Sequence, residues 1–291
     1  MRQSIVFLAG VLLATTASAG GCGTDPEVVT GPGGEVTVPE PGAGGEGVGA
    51  DLVISVERGG GFVAPGADFR TPPAAAIYED GTALSPAATT AVFPGPAVAP
   101  LVTGTLAEGE LEQLVAAAAG AGLLDETPPD VGEPPVADAA TTTIRVVAEG
   151  TEHVVDVYAL GINGGPGPEP LPGLTPDQVA ARQRIGEVVD QVTAAAMAAG
   201  EASWEPDRYR VLPLDPALGG DPAVEPGRAE WPFPEVVLEE GQCLAVAGEE
   251  AERLGEALAQ ATEITRWTTA GGREFLLAVR AVLPHEPGCP S

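Results

Sequence analysis

Residues 142–160 read TTIRVVAEGTEHVVDVYAL. Two runs rich in Thr, Ile and Val, 142–149 and 152–160, stand on either side of Gly150. β-Branched runs broken by a short Gly-containing step signal a hairpin. The same pattern recurs in weaker form. Segments 75–79 and 82–84 flank Asp80-Gly81, segments 235–239 and 242–246 flank Glu240-Gly241, and segments 264–269 and 274–283 flank Gly271-Gly272. Residues 52–57 add one further strand.

Helical periodicity fills the spaces between these hairpins. Leu111, Leu114, Val115 and Ala118 recur at the spacing of one helix face. Thr105 with Glu108 supplies a start signal for that helix and Gly122 a stop. Thr175-Pro176-Asp177-Gln178 is a capping-box start with proline at the first helical position, so a helix is expected from there to Ala199. Its apolar stripe is Ile185, Val188, Val189, Val192 and Ala196. Ala247, Ala251, Leu254, Leu258 and Ala261 form a third stripe.

The two ends of the body align with each other. Residues 77–84 (IYEDGTAL) match 237–244 (VLEEGQCL), and Gly150, Glu152, Val157 and Ala159 match Gly272, Glu274, Val279 and Ala281. The expected fold is therefore α+β: two hairpin–helix–hairpin units with antiparallel sheets, linked by a longer helix. Duplication and convergence of two simple units both account for the match. The expected divisions are a leader over 1–21, a tether over 22–50, an N-terminal unit over 51–173, a connecting helix over 174–200 and a C-terminal unit over 201–291.

The chain has 291 residues, of which 44% are hydrophobic and only 4% aromatic, so Val, Leu and Ala must build the core. The formal net charge is −29, and all 13 basic residues are arginine. So acidic a surface repels phosphates and anionic headgroups, which argues against nucleic acid as a partner. The absence of lysine excludes S-x-x-K chemistry, Schiff-base chemistry and a P-loop.

Arg2 and the apolar run IVFLAGVLLA over 5–14 have the form of an export signal, too short to span a bilayer as a helix. Two cuts fit: after Ala19, at the A-x-A site of residues 17–19, or before Cys22, at Ala19-Gly20-Gly21-Cys22. The second makes Cys22 the site of lipid attachment and leaves Cys243 and Cys289 as an even pair. Residues 23–50 hold nine Gly and four Pro and no Arg. They cannot bury a core and read as a disordered tether with a reach of about 30 Å.

Outside the cytoplasm Cys243 and Cys289 should form a disulfide, closing a loop of about 45 residues and adding roughly 4 kcal/mol in the chain-entropy model. The alternative is two buried free thiols. His153 shares a strand face with Val155 and Val157 and His285 lies in a proline-flanked tail. Neither has metal-ligand spacing. Ser55, Ser85, Ser203 and Ser291 lie in no G-x-S-x-G. Glu239-Glu240 sits beside a turn and Glu249-Glu250 at a helix start, where acids favour the dipole. Trp267 should be core, and Trp204 and Trp231 should pack across the entry to the second half. No catalytic residue, metal ligand or cofactor site is assigned.

Cys22-Gly23 after the apolar run, the tether, Asp138 with Thr141-Thr142-Thr143, residues 267–272, and Leu283-Pro284 with Cys289 are together similar to uncharacterised actinobacterial lipoproteins. That resemblance implies anchoring in the outer leaflet of the plasma membrane and carries no activity with it. The functional expectation is a non-enzymatic envelope lipoprotein whose body binds another envelope protein or a small ligand. The alternatives are an extracytoplasmic hydrolase using His153 or a carboxylate pair, and a secreted protein without lipid.

Overall fold

The hairpin that opened the sequence reading forms one edge of a seven-stranded sheet. The structure, a computed structural model, describes residues 51–162, 172–218 and 223–289. The leader, Cys22 and the tether lie outside the described residues. Strand β5 (Thr141–Ala148) pairs with β6 (Thr151–Tyr158) from Thr141↔Tyr158 to Ala148↔Thr151. That register leaves Glu149-Gly150 as a two-residue loop, and both have positive φ, 52° and 74°. A two-residue loop with both φ positive matches the right-handed twist of the strands it joins.

The sheet continues inward through β1 (Leu52–Gly59), β2 (Ala75–Tyr78), β3 (Thr82–Pro86), β4 (Leu101–Thr105) and β7 (Ala202–Ser203), in the order β6-β5-β1-β2-β3-β4-β7. Every neighbouring pair is antiparallel. The expected Asp80-Gly81 hairpin is present, with Ile77 opposite Ala83.

One face of this sheet carries Ile54, Val56, Ile77, Ile144, Val155 and Val157, buried against α2 (Glu110–Gly120) and α3 (Pro176–Ala199). Helix α3 begins at the expected capping box: the Thr175 side chain accepts from Gln178 N and Gln178 Oε1 accepts from Thr175 N at 2.8 Å. Its stripe from Ile185 to Ala196 lies over β1 to β4, so the helix expected as a connector forms the roof of the first sheet. The expected Thr105 cap of α2 is corrected. Thr105 is spent in β4 opposite Thr82, and the helix starts after Gly109, with no side-chain cap.

A bulge decides what faces the other side. In β1 the register shifts between Leu52, opposite Tyr78, and Ile54, opposite Ile77. One extra residue turns Leu52 away from Ile54 and onto the second face. Ala76, Tyr78, Leu84 and Leu101 share that face and join a second core. Ser55 and Glu57 follow it in strand alternation.

The second core belongs to a five-stranded sheet in the order β10-β8-β12-β11-β9. These strands are β8 (Arg208–Leu214), β9 (Arg228–Glu230), β10 (Leu244–Ala247), β11 (Arg266–Thr268) and β12 (Glu274–Ala281). Leu254 and Leu258 of α4 (Glu249–Leu258) pack with Val211, Leu277 and Val279. The opposite face of β12 receives α1 (Ala67–Arg70). Gly66, at φ 77°, lets this chain approach: a Cβ there would come within 2.6 Å of Leu214 Cδ1 and 3.0 Å of Ala278 Cβ.

The architecture is α+β, as expected, but the repeat fails at its first hairpin. Residues 235–239 form no strand, and β10 pairs with β8 instead. Gly241 N bonds Pro213 O, so the Glu240-Gly241 turn serves a different neighbour. By contact the described residues form one compact unit. Among them no helix is long and apolar enough to cross a membrane.

Candidate functional site

Strand β12 runs on into a tail that is fastened at three points. Cys243 and Cys289 form the expected disulfide, with an S–S distance of 2.08 Å and Cα atoms 5.8 Å apart. Arg208 spreads its guanidinium over the tail backbone, donating to Leu283 O at 3.0 Å, Pro284 O at 3.4 Å and Glu286 O at 3.4 Å. Glu286 folds back: its Oε2 accepts from Leu283 N at 2.9 Å and its Oε1 pairs with the Arg280 guanidinium. Five donors held in a planar fork suit arginine to clamping several carbonyls at once.

These fastenings lay His285 against Tyr78. The Tyr78 hydroxyl and His285 Nδ1 are 2.9 Å apart, with ring centroids 5.7 Å apart. Burial drives the His285 pKa down to about 4, helped by the positive field of Arg145, Arg280 and Arg208. Burial also pushes the Tyr78 phenol well above its ordinary value, against a smaller opposing pull from Arg208. At neutral pH the phenol therefore keeps its proton and the imidazole is uncharged, and the imidazole tautomer sets which of the two donates.

A crevice of about 660 Å³ opens beside this pair, walled by the outer surface of β1, β5 and the tail. Glu57, Glu79, Arg145, Glu152 and His285 line it, with Arg145 and Glu152 paired at 2.7 Å. One ligand atom each from Glu57, His285 and Glu286 lie within 4.8 Å of one another. Sequence spacing could not place this trio, since Glu57 lies on the far side of the chain from the other two. Its chemistry disfavours a cation. Both Glu286 oxygens are already engaged, and the arginine field that repels a proton from His285 repels a divalent ion more strongly.

A second crevice, of about 400 Å³, lies on the other side of Glu57. Its wall includes Arg210 and Arg280, directly opposite each other on β8 and β12. Arg58, Asp68, Thr71 and Thr143 complete it. The Arg280 side chain is only 5% exposed, and desolvation, with a smaller push from Arg210 and an opposing pull from Glu57, brings its pKa down to about 10. Desolvation lowers Arg210 as well. The Nε atoms of both arginines are buried without a hydrogen-bond partner. The Arg210 guanidinium sits over the Phe69 ring, 4.9 Å from its centroid.

Other expected positions are resolved plainly. His153 lies at the rim of the helix-side face, in a recess of about 360 Å³ with Asp125, Glu126 and Glu152, and no hydrogen bond joins it to them. Ser55 and Ser85 are buried, the Ser85 hydroxyl donating to Ala196 O at 3.4 Å. Trp267 is core, and Trp231 packs edge-on against both Trp267 and Phe233. Trp204 is partly buried on the same core, its backbone N–H bonded to Leu101 O at 3.0 Å. Glu249 and Glu250 stand in the first turn of α4 as expected.

Sequence reasoning passed over Tyr78, Arg208, Arg210 and Arg280. One signal was available: Arg280 is the sole charge within the apolar run 275–283. A charge inside such a run must find partners in the fold. Family models, curated proteins and solved structures yield no match to this chain, so the functional reading proceeds from these residues alone.

Proposed function

We propose that this chain is an extracytoplasmic lipoprotein, anchored through Cys22 in the outer leaflet of the plasma membrane, whose body is a non-enzymatic binding module. The Cys243–Cys289 disulfide carries the reading. Such bonds persist where the environment oxidises, and pairing these two of three cysteines leaves Cys22 for lipid. Two or more acyl chains hold a protein stably, which a single chain does not. The polar crevices flanking Glu57 supply the body with sites for a small ligand or for a polar segment of an envelope protein. The similarity to actinobacterial lipoproteins belongs to the same proposal.

Intact mass of the protein from membranes of its own host tests the anchor. The expected result is an acylated N-terminal Cys22, with a Cys22→Ala variant shed into the medium. An unmodified Cys22 on protein that leaves the cell sinks it.

A hydrolase is the second reading, favoured by the recess that gathers His153 with Asp125, Glu126 and Glu152. No serine or cysteine lines that recess, so the nucleophile would be Thr151, one of the carboxylates or a water activated by them. A His153→Ala variant that keeps the hydrolytic activity of the wild type removes the version that uses His153, and a wild type without any hydrolytic activity removes the reading whole.

A further inference from the structure

We infer that the crevice walled by Arg210 and Arg280 is a binding site for a small oxyanion, a carboxylate or phosphate group, received between the two guanidinium groups and the rim residue Arg58. The chain carries 42 acids and 13 bases, more than three to one, yet this crevice is lined by three arginines and two acids, Glu57 and Asp68. Arginine has been gathered here against the composition of the whole.

The second observation is unmet hydrogen bonding. Buried Nε groups on both arginines lack acceptors, and a buried donor left unpaired is costly, more so when charged. Among the described residues the Arg210 guanidinium has no hydrogen-bonded acceptor; its ordering contact is the Phe69 ring. Stacking fixes the plane of a guanidinium while leaving its donor edge for a ligand. Arg280 is oriented by Glu286 and by Thr71 O at 3.2 Å, which leaves its Nε edge unused.

Mutual repulsion is the third. Arg210 and Arg280 are register partners on adjacent antiparallel strands, and like charges directly opposite destabilise a sheet. Glu286 pairs with Arg280 alone, and Glu57 acts on both arginines without a hydrogen bond to either, so the Arg210 charge is balanced only in part. An oxyanion in the crevice would satisfy the free donors and the repulsion together, by bidentate pairing. At about 400 Å³ the space suits a small ligand. The same positive field separates this site from a metal centre at Glu57, His285 and Glu286.

The inference rests on the reading of the body as a binding module and is independent of the lipid anchor. It is tested by calorimetric titration of the full chain in detergent with inorganic phosphate and with acetate, at ionic strength held constant with chloride. Saturable binding of either probe is expected, weakened at least tenfold in Arg210→Gln and several-fold in Arg58→Gln. Preference for phosphate points to a phosphorylated ligand, and preference for acetate to a carboxylate ligand. If Arg210→Gln does not fold, Arg58→Gln alone decides: weaker binding supports the site and unchanged binding overturns it. Heats for both probes indistinguishable from chloride, or full binding by folded Arg210→Gln, also overturn it. Acylation of Cys22 is read separately by mass, so either idea can fail alone.

Discussion

Tyr78 and His285, 207 positions apart in the chain, are joined by a 2.9 Å hydrogen bond that ties the C-terminal tail to the first sheet. The imidazole is neutral in the folded protein because it is buried among arginines. In the unfolded chain it titrates near the ordinary histidine value, so the unfolded state binds more protons at mildly acidic pH. The contribution is therefore fully present above pH 6.5 and is lost as pH falls toward 4. Its full size is roughly 3 kcal/mol. Urea unfolding at pH 7.5 and pH 4.5 should show a larger loss for wild type than for His285→Gln. Equal losses would remove His285 from the acid response.

Tyr78→Phe keeps the ring in the core and deletes only the hydroxyl. His285 Nδ1 is then left without its hydrogen-bond partner in a largely buried setting, which costs about 1–3 kcal/mol. Chemical denaturation reads that cost directly. A variant as stable as wild type would mean that Arg208, Glu286 and the disulfide hold the tail without Tyr78.

Reduction of the Cys243–Cys289 bond should release the tail beyond Glu286 while the two sheets remain. The expected loss is at most about 4 kcal/mol, because the closed loop spans 46 positions and longer loops cost the unfolded chain more entropy. Thermal melts with and without reductant measure the loss, and limited proteolysis shows whether residues 284–289 become the first cleavage site. A tail resistant to protease after reduction would assign its order to Arg208 and Glu286.

Much of the fold was legible because it is local. The Gly150 and Asp80-Gly81 hairpins, the Thr175 cap and the stripe of α3 are each written within a few residues of one another. What escaped is non-local or masked by proline. Strand β8 alternates Tyr209, Val211 and Pro213 inward, yet Pro213 argues against a central strand. It is tolerated there because β10 pairs with β8 only as far as Val211, so no ladder acceptor on that side waits for the missing N–H. The false repeat arose because Glu240-Gly241 has hairpin chemistry while segment 235–239 is drawn into loop packing, with Leu238 buried in the second core. The disulfide was readable from cysteine arithmetic. The crevices were not, because Glu57, Arg210 and Arg280 meet only through sheet register and a bulge in β1.

The Arg280–Glu286 pair gives the most severe of the expected changes. Both side chains are at most 10% exposed, so neither charge is satisfied by solvent. Glu286→Gln leaves Arg280 charged, desolvated and next to Arg210, and it weakens the acceptor for Leu283 N. Breaking a buried pair from one side typically costs about 3–5 kcal/mol. Replacing both partners by apolar residues of similar volume removes the stranded charge as well as the attraction, so Arg280→Met with Glu286→Leu should cost less than Glu286→Gln alone. The coupling energy from a double-mutant cycle, read by urea denaturation, distinguishes the cases. A double variant whose loss equals the sum of its single changes would show that Arg280 serves Thr71 O and the anion crevice rather than Glu286.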